Sequence, residues 1–162
     1  MIEIFPNLYI GSGDDCSLGV VAGWFVISAA KEPWHRAAVG YSDKAAPKGD
    51  PEYLIARRDG RLILNLIDAP DPAYIPDEIM SAAVDAIDTA LAEGRKVLVH
   101  CNKGQSRAPM IGLLWLRYSK FAGPFIKRLS FEDALAAYAE LYPPISPGDG
   151  MKGFVKAKWE VE

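Results

Sequence analysis

The sequence predicts an α/β domain built on a mostly parallel central sheet, and three observations lead to this prediction. Short runs such as residues 96–100 are continuously apolar and rich in β-branched side chains, which is typical of strands covered on both faces. Longer segments such as residues 76–93 carry apolar residues at helical spacing. The two kinds of segment alternate, as parallel strands connected by helices do. Because 162 residues is the length of one ordinary domain, we expect residues 1–162 to form a single domain.

The first half of the chain contains three predicted strands. Residues 8–10 are apolar and precede a Gly-Ser-Gly turn, residues 23–28 are β-branched and aromatic, and residues 61–67 are again apolar. Residues 68–72 then form a predicted loop that contains two prolines.

The segment of residues 31–60 interrupts this pattern. It carries several prolines and glycines among many charges, so we expect a long irregular excursion on one side of the domain. Two interpretations of its larger side chains stay open: they form a wall of a functional site, or they anchor a surface loop to the core. These side chains are Trp34, His35, Arg36 and Tyr41.

Helix boundaries are marked in the second half of the chain. Pro76 suits the first turn of a helix that opens with two carboxylates at the positive end of its dipole, and Gly94 ends it. Residues 109–118 are expected to form a strongly apolar helix. Ser130 begins a capping box for the next helix, and residues 151–159 are expected to form the last one.

The composition restricts the functional classes. The formal net charge of −3, from 18 basic and 21 acidic residues, does not favour a nucleic-acid-binding protein. Cys16 and Cys101 are too few for a disulfide framework, and with only His35 and His100 as histidines we expect no metal site. The longest apolar run, residues 18–30, is too short to span a membrane, and the N terminus does not resemble a signal peptide. We therefore expect a cytoplasmic protein without a membrane partner.

The segment that starts at Cys101 combines features that suit a bound phosphate. Cys101 directly follows a buried strand, where sites of α/β sheets form, and Arg107 lies six positions later at the expected start of a helix. Unpaired amides at a helix N terminus and in a tight loop favour an anion, and Gly104 allows the positive φ that such a loop needs. A guanidinium can donate two parallel hydrogen bonds to phosphate oxygens. The positive electrostatic potential of these amides and of the guanidinium stabilises a nearby thiol as the nucleophilic thiolate.

A second interpretation of this segment needs no ligand: Cys101 is a buried core thiol and Arg107 a surface residue that caps a helix. Spacing alone does not separate the two, because a Cys-x5-Arg pair arises by chance in about one chain in ten of this composition. The apolar strand before the cysteine, the glycine within the loop and the proline-opened helix after it favour the phosphate site.

Residues 99–107, which read Val-His-Cys-Asn-Lys-Gly-Gln-Ser-Arg, resemble the signature of the dual-specificity branch of the protein tyrosine phosphatases. Residues 4–12 are similar to the opening strand of that family, and residues 131–154 to its closing helices. The resemblance implies a protein tyrosine phosphatase-like sheet of four to five strands flanked by helices. It also implies a two-step reaction through a phosphocysteine, which requires no metal or organic cofactor.

The resemblance also implies roles for individual residues. Cys101 is the nucleophile, Arg107 clamps the phosphate, and an aspartic acid about thirty residues before the cysteine protonates the leaving group. Asp68, at the end of a predicted strand, is preferred over Asp71, whose position beside Pro72 also fits a turn-forming aspartate. The expected phosphate-binding residues are Asn102, Lys103, Gly104, Gln105, Ser106 and Arg107.

Two further residues, His100 and Lys103, carry open alternatives. His100 precedes the nucleophile, as a histidine does in the family, and either orders the loop and tunes the thiol or is a core histidine with satisfied hydrogen bonds. Lys103 and Gln105 are expected at the mouth of the pocket. There Lys103 either binds a second negative charge of the substrate or is an ordinary solvated lysine.

The chain departs from the family at Ala108. The family usually has a serine or threonine there, whose hydroxyl helps the thiolate leave. A minority branch, the small prenylated phosphatases, shares Arg-Ala-Pro, but this chain ends in Trp-Glu-Val-Glu without that branch's C-terminal cysteine box. We therefore expect slower breakdown of the phosphoenzyme, with the chemistry retained.

The sequence thus predicts a phosphomonoester hydrolase, with phosphotyrosine or phosphoserine/threonine proteins as the favoured substrates. One alternative is a phosphatase for a non-protein substrate, such as a phosphoinositide, a nucleotide or an RNA 5′ end. Phosphoinositide-specific loops tend to carry two lysines, and this loop has only Lys103. The other alternative is a phospho-binding module with little turnover, which only Ala108 favours.

Overall fold

A computed structural model describes residues 1–161, without the side chains of residues 18–20. The chain forms a six-stranded sheet in the order β1-β2-β6-β3-β5-β4. The strands are Ile2–Phe5 (β1), Leu8–Gly11 (β2), Trp24–Ser28 (β3), Ile55–Arg58 (β4), Arg61–Leu64 (β5) and Lys96–His100 (β6). The helices are Arg36–Val39 (α1), Asp77–Ala92 (α2), Arg107–Tyr118 (α3), Pro124–Lys127 (α4), Phe131–Leu141 (α5) and Asp149–Glu160 (α6). None of the helices within residues 1–161 has the length and apolarity needed to cross a bilayer.

The predicted α/β class is confirmed, while the strand count and the edges of the sheet differ from the expectation. The central strands β2, β6, β3 and β5 are parallel, as predicted. Both edge strands are antiparallel: β1 pairs with β2 and β4 with β5. The sheet therefore has six strands and not four to five, because each edge is extended by a hairpin.

The β4–β5 hairpin corrects the prediction for residues 31–60, part of which is regular. Asp59 and Gly60 connect the two strands, and Gly60 has a φ of +69°. An Asp-Gly pair between apolar runs is a strong sequence indication of a two-residue hairpin turn. The prediction gave more weight to the charges that surround it.

The other predicted elements are confirmed with small changes in their bounds. The strand predicted over residues 61–67 ends at Leu64, because the Leu66 carbonyl accepts hydrogen bonds from the Lys31 amide at 2.9 Å and the Arg107 guanidinium at 3.0 Å. The helix predicted from residue 109 begins at Arg107. The Ser130 cap is present, since its hydroxyl accepts from the Asp133 amide at 3.1 Å.

Both faces of the sheet are buried around β6. Val97 and Val99 belong to the main core with buried residues of α2 and α3, whereas Leu98 points to the opposite face and is also buried. His100, the last residue of β6, pairs in register with Gly11 of β2 and Ser28 of β3. The carboxyl ends of these three parallel strands therefore lie side by side where the chain leaves β6.

Candidate active site

The loop of residues 101–106 connects β6 to α3 and begins at a buried thiol. Cys101 is 2% exposed. Gly104 has a φ of +69°, and a Cβ atom there would lie 2.8 Å from the Gly11 carbonyl oxygen. Both the backbone conformation and the close approach to β2 therefore require glycine at this position.

Most carbonyl groups of the loop accept hydrogen bonds from donors outside it. The Gly13 amide donates to Asn102, the Met110 amide to Ser106, and the Ser146 amide to Gln105, at 3.1, 3.0 and 2.7 Å. These bonds come from three separate parts of the fold. They hold the loop in one conformation in which the carbonyl oxygens of Asn102, Gln105 and Ser106 are already paired.

Tyr142 completes this set from the end of α5. Its hydroxyl donates to the Gly104 carbonyl at 2.6 Å. Burial, and secondly the charge of the Cys101 thiolate, raise the pKa of Tyr142 to about 12. The phenol therefore stays protonated at neutral pH and remains a donor.

The amide groups of the loop are free in a way that its carbonyls are not. Within residues 1–161, no amide of residues 102–106 donates to a backbone acceptor. Ser106 is the N-cap of α3 but makes no side-chain cap, so the first turn of that helix also keeps unpaired amides. Paired carbonyls and unpaired amides around one point, at the positive end of a helix, suit an anion.

Arg107 lies at the end of the loop with part of its guanidinium already held. Nη1 donates to the Leu66 carbonyl at 3.0 Å, and Nη2 donates to Asn102 Oδ1 at 2.5 Å. The Asn102 side chain in turn donates to the Glu32 carbonyl at 3.0 Å. A guanidinium has five N–H groups, so Arg107 is oriented by its neighbours and still has donors for an oxyanion.

The two candidate acids differ in their surroundings. Asp68 borders the same cavity as Cys101, and its Oδ1 accepts from the Ser106 hydroxyl at 2.9 Å. Asp71 accepts from the Ala73 amide at 2.8 Å and begins a 3₁₀ turn, as a turn-forming aspartate does. The cavity lining contains Asp68 and not Asp71.

The cavity itself has a volume of about 260 Å³ and is lined by polar residues and Cys101. Lys103 and Gln105 are exposed at its mouth, as expected. The fold brings together all predicted site residues except Gly104 and His100, which lie behind the lining. The lining residues are Asp68, Cys101, Asn102, Lys103, Gln105, Ser106, Arg107 and Ser146.

His100 is fully buried behind the loop. Its Nδ1 lies 3.3 Å from the Cys101 carbonyl, and its Nε2 lies 2.8 Å from the Ser28 hydroxyl. Burial lowers the pKa of His100 from 6.5 to about 4, so the ring is neutral at neutral pH. Because a carbonyl only accepts, the proton is assigned to Nδ1, and Nε2 accepts from Ser28. This geometry fits a core histidine with satisfied hydrogen bonds, and the bond to the Cys101 carbonyl fits a role in ordering the loop, whereas tuning of the thiol stays a prediction.

The large side chains of the segment 31–60 do not line the cavity. Trp34 packs edge-on against the outer side of His100, with ring centroids 4.7 Å apart. His35 bonds to Tyr41 and to the Glu52 carbonyl within the segment. These contacts favour the anchoring interpretation over the wall interpretation.

Sequence reasoning missed two residues that support the loop, Tyr142 and Ser146, which reach it from positions that no local pattern marks. The only indication for them was the resemblance of residues 131–154 to a family's closing helices. Ser106 was an expected phosphate-binding residue, but the bond of its hydroxyl to Asp68 was not predicted. Within residues 1–161, no group of three His, Cys, Asp or Glu side chains could hold a metal ion.

A cysteine at the start and an arginine at the end of a loop with unpaired amides, at the carboxyl edge of a parallel sheet, are the arrangement of a protein tyrosine phosphatase-like fold. More particularly, this is the fold of the dual-specificity phosphatases. DUSP15 is 19% identical, with a TM-score of 0.67 over 99% of this chain and 88% of its own. The human tyrosine phosphatase-like serine/threonine/tyrosine-interacting protein is 20% identical, with a TM-score of 0.63 over 98% of this chain and 94% of its own. The Yvh1 phosphatase domain of Chaetomium thermophilum is 18% identical, with a TM-score of 0.59 over 95% of this chain and 90% of its own.

No protein-family model matches the sequence. No curated protein matches it either. The likeness is therefore one of fold.

Proposed function

We propose that this protein is a cysteine-dependent phosphomonoester hydrolase of the dual-specificity type that acts on phosphorylated proteins. One observation carries the proposal: Cys101, Arg107 and Asp68 border a single cavity, and the loop that connects Cys101 to Arg107 has unpaired amides. A nucleophile, a cationic clamp and a carboxylic acid around an anion site are the groups that phosphoryl transfer through an enzyme-bound intermediate requires.

In the first step, the Cys101 thiolate attacks phosphorus and an Sγ–P bond forms. The ester P–O bond breaks, and Asp68 gives its proton to the oxygen that leaves. The loop amides and Arg107 hold the other phosphate oxygens while charge redistributes over them. The products are a phosphocysteine, the dephosphorylated alcohol or phenol, and the Asp68 carboxylate.

In the second step, the Asp68 carboxylate takes a proton from a water molecule as the water oxygen attacks phosphorus. The Sγ–P bond breaks, and inorganic phosphate and the thiolate are released. Both proton transfers use the same side chain, so no further acid or base is needed. The reaction consumes water and requires no cofactor.

The need for a free Cys101 thiol indicates the kind of cellular compartment in which the enzyme works. Cys101 acts only as a free thiol, and neither it nor Cys16 forms a disulfide. An oxidising environment would disable such an enzyme. We therefore propose that it works in the cytoplasm or another reducing compartment.

Phosphoproteins are the substrates that the fold favours. DUSP15 and the Yvh1 phosphatase domain are phosphatases by their names, and the human structural relative is named for serine, threonine and tyrosine. A second candidate, a phosphatase for a small polar phosphate ester, is favoured by the cavity lining. Within the described residues that lining has no aromatic or aliphatic side chain to cover a phosphotyrosine ring.

The nucleophile is tested by hydrolysis of p-nitrophenyl phosphate with wild type and Cys101→Ser. We expect activity in the wild type and none in the variant. An inactive wild type between pH 5 and 8, or an active Cys101→Ser, contradicts the proposed function. Cys16→Ser is the matched control and should keep its activity.

The acid is tested by comparing Asp68→Ala with Asp71→Ala on phenyl phosphate, whose leaving group needs a proton. A larger loss in Asp71→Ala would mean that Asp71 is the acid. Substrate class is tested by a panel of phosphotyrosine, phosphoserine and phosphothreonine peptides against soluble inositol phosphates and nucleotides. Higher kcat/KM on the peptides supports the first candidate, and higher values on the small esters support the second.

A further inference from the structure

A chain of two hydrogen bonds connects the closing part of the fold to Asp68. The Gly148 amide donates to Ser106 Oγ at 2.9 Å, and the Ser106 hydroxyl donates to Asp68 Oδ1 at 2.9 Å. Ser106 is 6% exposed, whereas Asp68 lies at the surface of the cavity. The bonds therefore run from a fixed backbone through a buried hydroxyl to an exposed carboxylate.

The direction of these bonds is determined by their first donor. A backbone amide can only donate, so Ser106 Oγ accepts from Gly148. The single hydroxyl proton of Ser106 is then free to point at Asp68 Oδ1. While the Ser106 hydroxyl donates to Oδ1, an acidic proton on Asp68 is placed on Oδ2, because two protons do not share one hydrogen bond.

Gly148 also limits where the Asp68 side chain can go. A Cβ atom at position 148 would lie 2.8 Å from Asp68 Oδ1 and 3.3 Å from its Cγ. At Gly150, a Cβ atom would lie 1.9 Å from the Ala69 carbonyl oxygen. The start of α6 therefore packs directly against residues 68–69, and it does so through positions that lack side chains.

We propose that Ser106 and Gly148 are positioning residues that hold Asp68 by Oδ1 and present Oδ2 to the leaving group. The inference rests on the proposed role of Asp68 as the general acid. The Ser106 hydroxyl selects the oxygen that carries the proton, and the bare backbone of Gly148 leaves room for the carboxylate. The same contact holds Oδ2 in place for the second step, when it takes a proton from water.

The first test measures how activity depends on the leaving group in Ser106→Ala. p-Nitrophenolate leaves without much protonation, whereas phenolate needs an acid. We expect Ser106→Ala to lower kcat on phenyl phosphate about tenfold or more, and to lower kcat on p-nitrophenyl phosphate much less, because a misplaced acid loses efficiency steeply with distance. Ser106→Thr, which keeps a hydroxyl, should recover most of the loss. In an Asp68→Asn background, Ser106→Ala should add almost no further loss on phenyl phosphate.

The second test moves Asp68 from outside the phosphate loop. Gly148 has a φ of −67° and a ψ of 160°, which alanine adopts without strain, so Gly148→Ala adds only the methyl group against Asp68. We expect a selective loss on phenyl phosphate of about tenfold. Gly123→Ala is the matched control: Gly123 is also a helix N-cap, with φ −65° and ψ 168°, and no atom lies within 4 Å of its added Cβ. This control should behave as the wild type.

The outcomes separate the inference from the proposed function. Equal losses on both substrates in Ser106→Ala, with weaker inhibition by inorganic phosphate, would mean that Ser106 acts through the phosphate loop, and the inference is wrong. Unchanged leaving-group dependence in Ser106→Ala and Gly148→Ala also overturns it, although Cys101→Ser remains inactive. An active Cys101→Ser would instead reject the proposed function and the inference with it.

Discussion

The loop of residues 101–106 and the segment of residues 31–60 use their hydrogen-bonding groups in opposite ways. The loop pairs its carbonyls with outside donors and leaves its amides unpaired. The segment uses its polar groups internally: both ring nitrogens of His35 are bonded, and Arg36 bonds to Glu32 and to two carbonyls. Unpaired amide donors therefore distinguish the loop from the segment, whose polar groups serve as a scaffold.

The largest expected effect concerns the side chain that ends the loop. Arg107→Lys should reduce kcat/KM on p-nitrophenyl phosphate on the order of 10²- to 10³-fold, because an ammonium cannot donate two parallel bonds to the phosphate oxygens. It should leave the melting temperature nearly unchanged, since the loop is held mainly through its backbone. Arg128→Lys, at an exposed position, is the control. Activity near that of the wild type would mean that Arg107 is structural and that the loop is not an anion site.

The second prediction tests His100, where the two regions meet through Trp34. Its pKa is lowered to about 4, against 6.5 for an exposed histidine, chiefly by burial. Between these values the unfolded chain binds a proton that the folded protein does not. Stability is therefore full above pH 6.5 and falls as the pH drops towards 4, by about 3 kcal/mol for this group.

Urea unfolding of wild type and His100→Gln between pH 7.5 and 4 measures how much His100 contributes to the pH dependence of the free energy of unfolding. The wild type should lose about 3 kcal/mol more than the variant over this range. His35, whose pKa is also lowered by burial, titrates in both proteins and cancels in the difference. Parallel curves for the two proteins would show that His100 is not buried as a neutral ring.

The third prediction concerns a variant that destabilises the segment of residues 31–60 and leaves the catalytic rate nearly unchanged. His35→Ala removes two buried hydrogen bonds and leaves the Tyr41 hydroxyl and the Glu52 carbonyl without these partners. We expect a loss of about 2–3 kcal/mol in the free energy of unfolding, with kcat per folded molecule within about twofold of the wild type. Lys48→Ala, at an exposed position of the same segment, should change neither. A large fall in kcat would mean that this segment takes part in the reaction.

The same contrast explains what the sequence could and could not predict. Cys101, Gly104 and Arg107 are close in sequence, so one strand–loop–helix pattern places them together. Asp68 could be proposed because a strand end precedes it and a family resemblance gave the spacing. The contacts of Ser106 with Asp68 and of Asn102 with Glu32 span 38 and 70 positions, and no local pattern encodes such a distance. The contacts that hold the site residues in place therefore could not be predicted from the sequence.

Ala108 gives the smallest expected effect and the finest test of the binding loop. It is fully buried at the start of α3, at the position where the resembled family has a hydroxyl that helps the thiolate leave. If breakdown of the phosphocysteine limits turnover, Ala108→Ser should supply that hydrogen bond and raise kcat by up to about tenfold, which corresponds to about 1.4 kcal/mol and is typical of a bond to a charged group.

The measurement is the pre-steady-state burst with p-nitrophenyl phosphate. In the wild type, slow breakdown produces a burst of p-nitrophenol close to one per enzyme. The burst should shrink in Ala108→Ser while the rate of its first phase stays the same, because only the second step changes. Ala134→Ser, an equally buried helical alanine of α5, controls for the cost of burying a hydroxyl. An unchanged burst in a stable Ala108→Ser protein would mean that breakdown does not depend on a hydroxyl here, and that Asp68 and the loop amides alone set its rate.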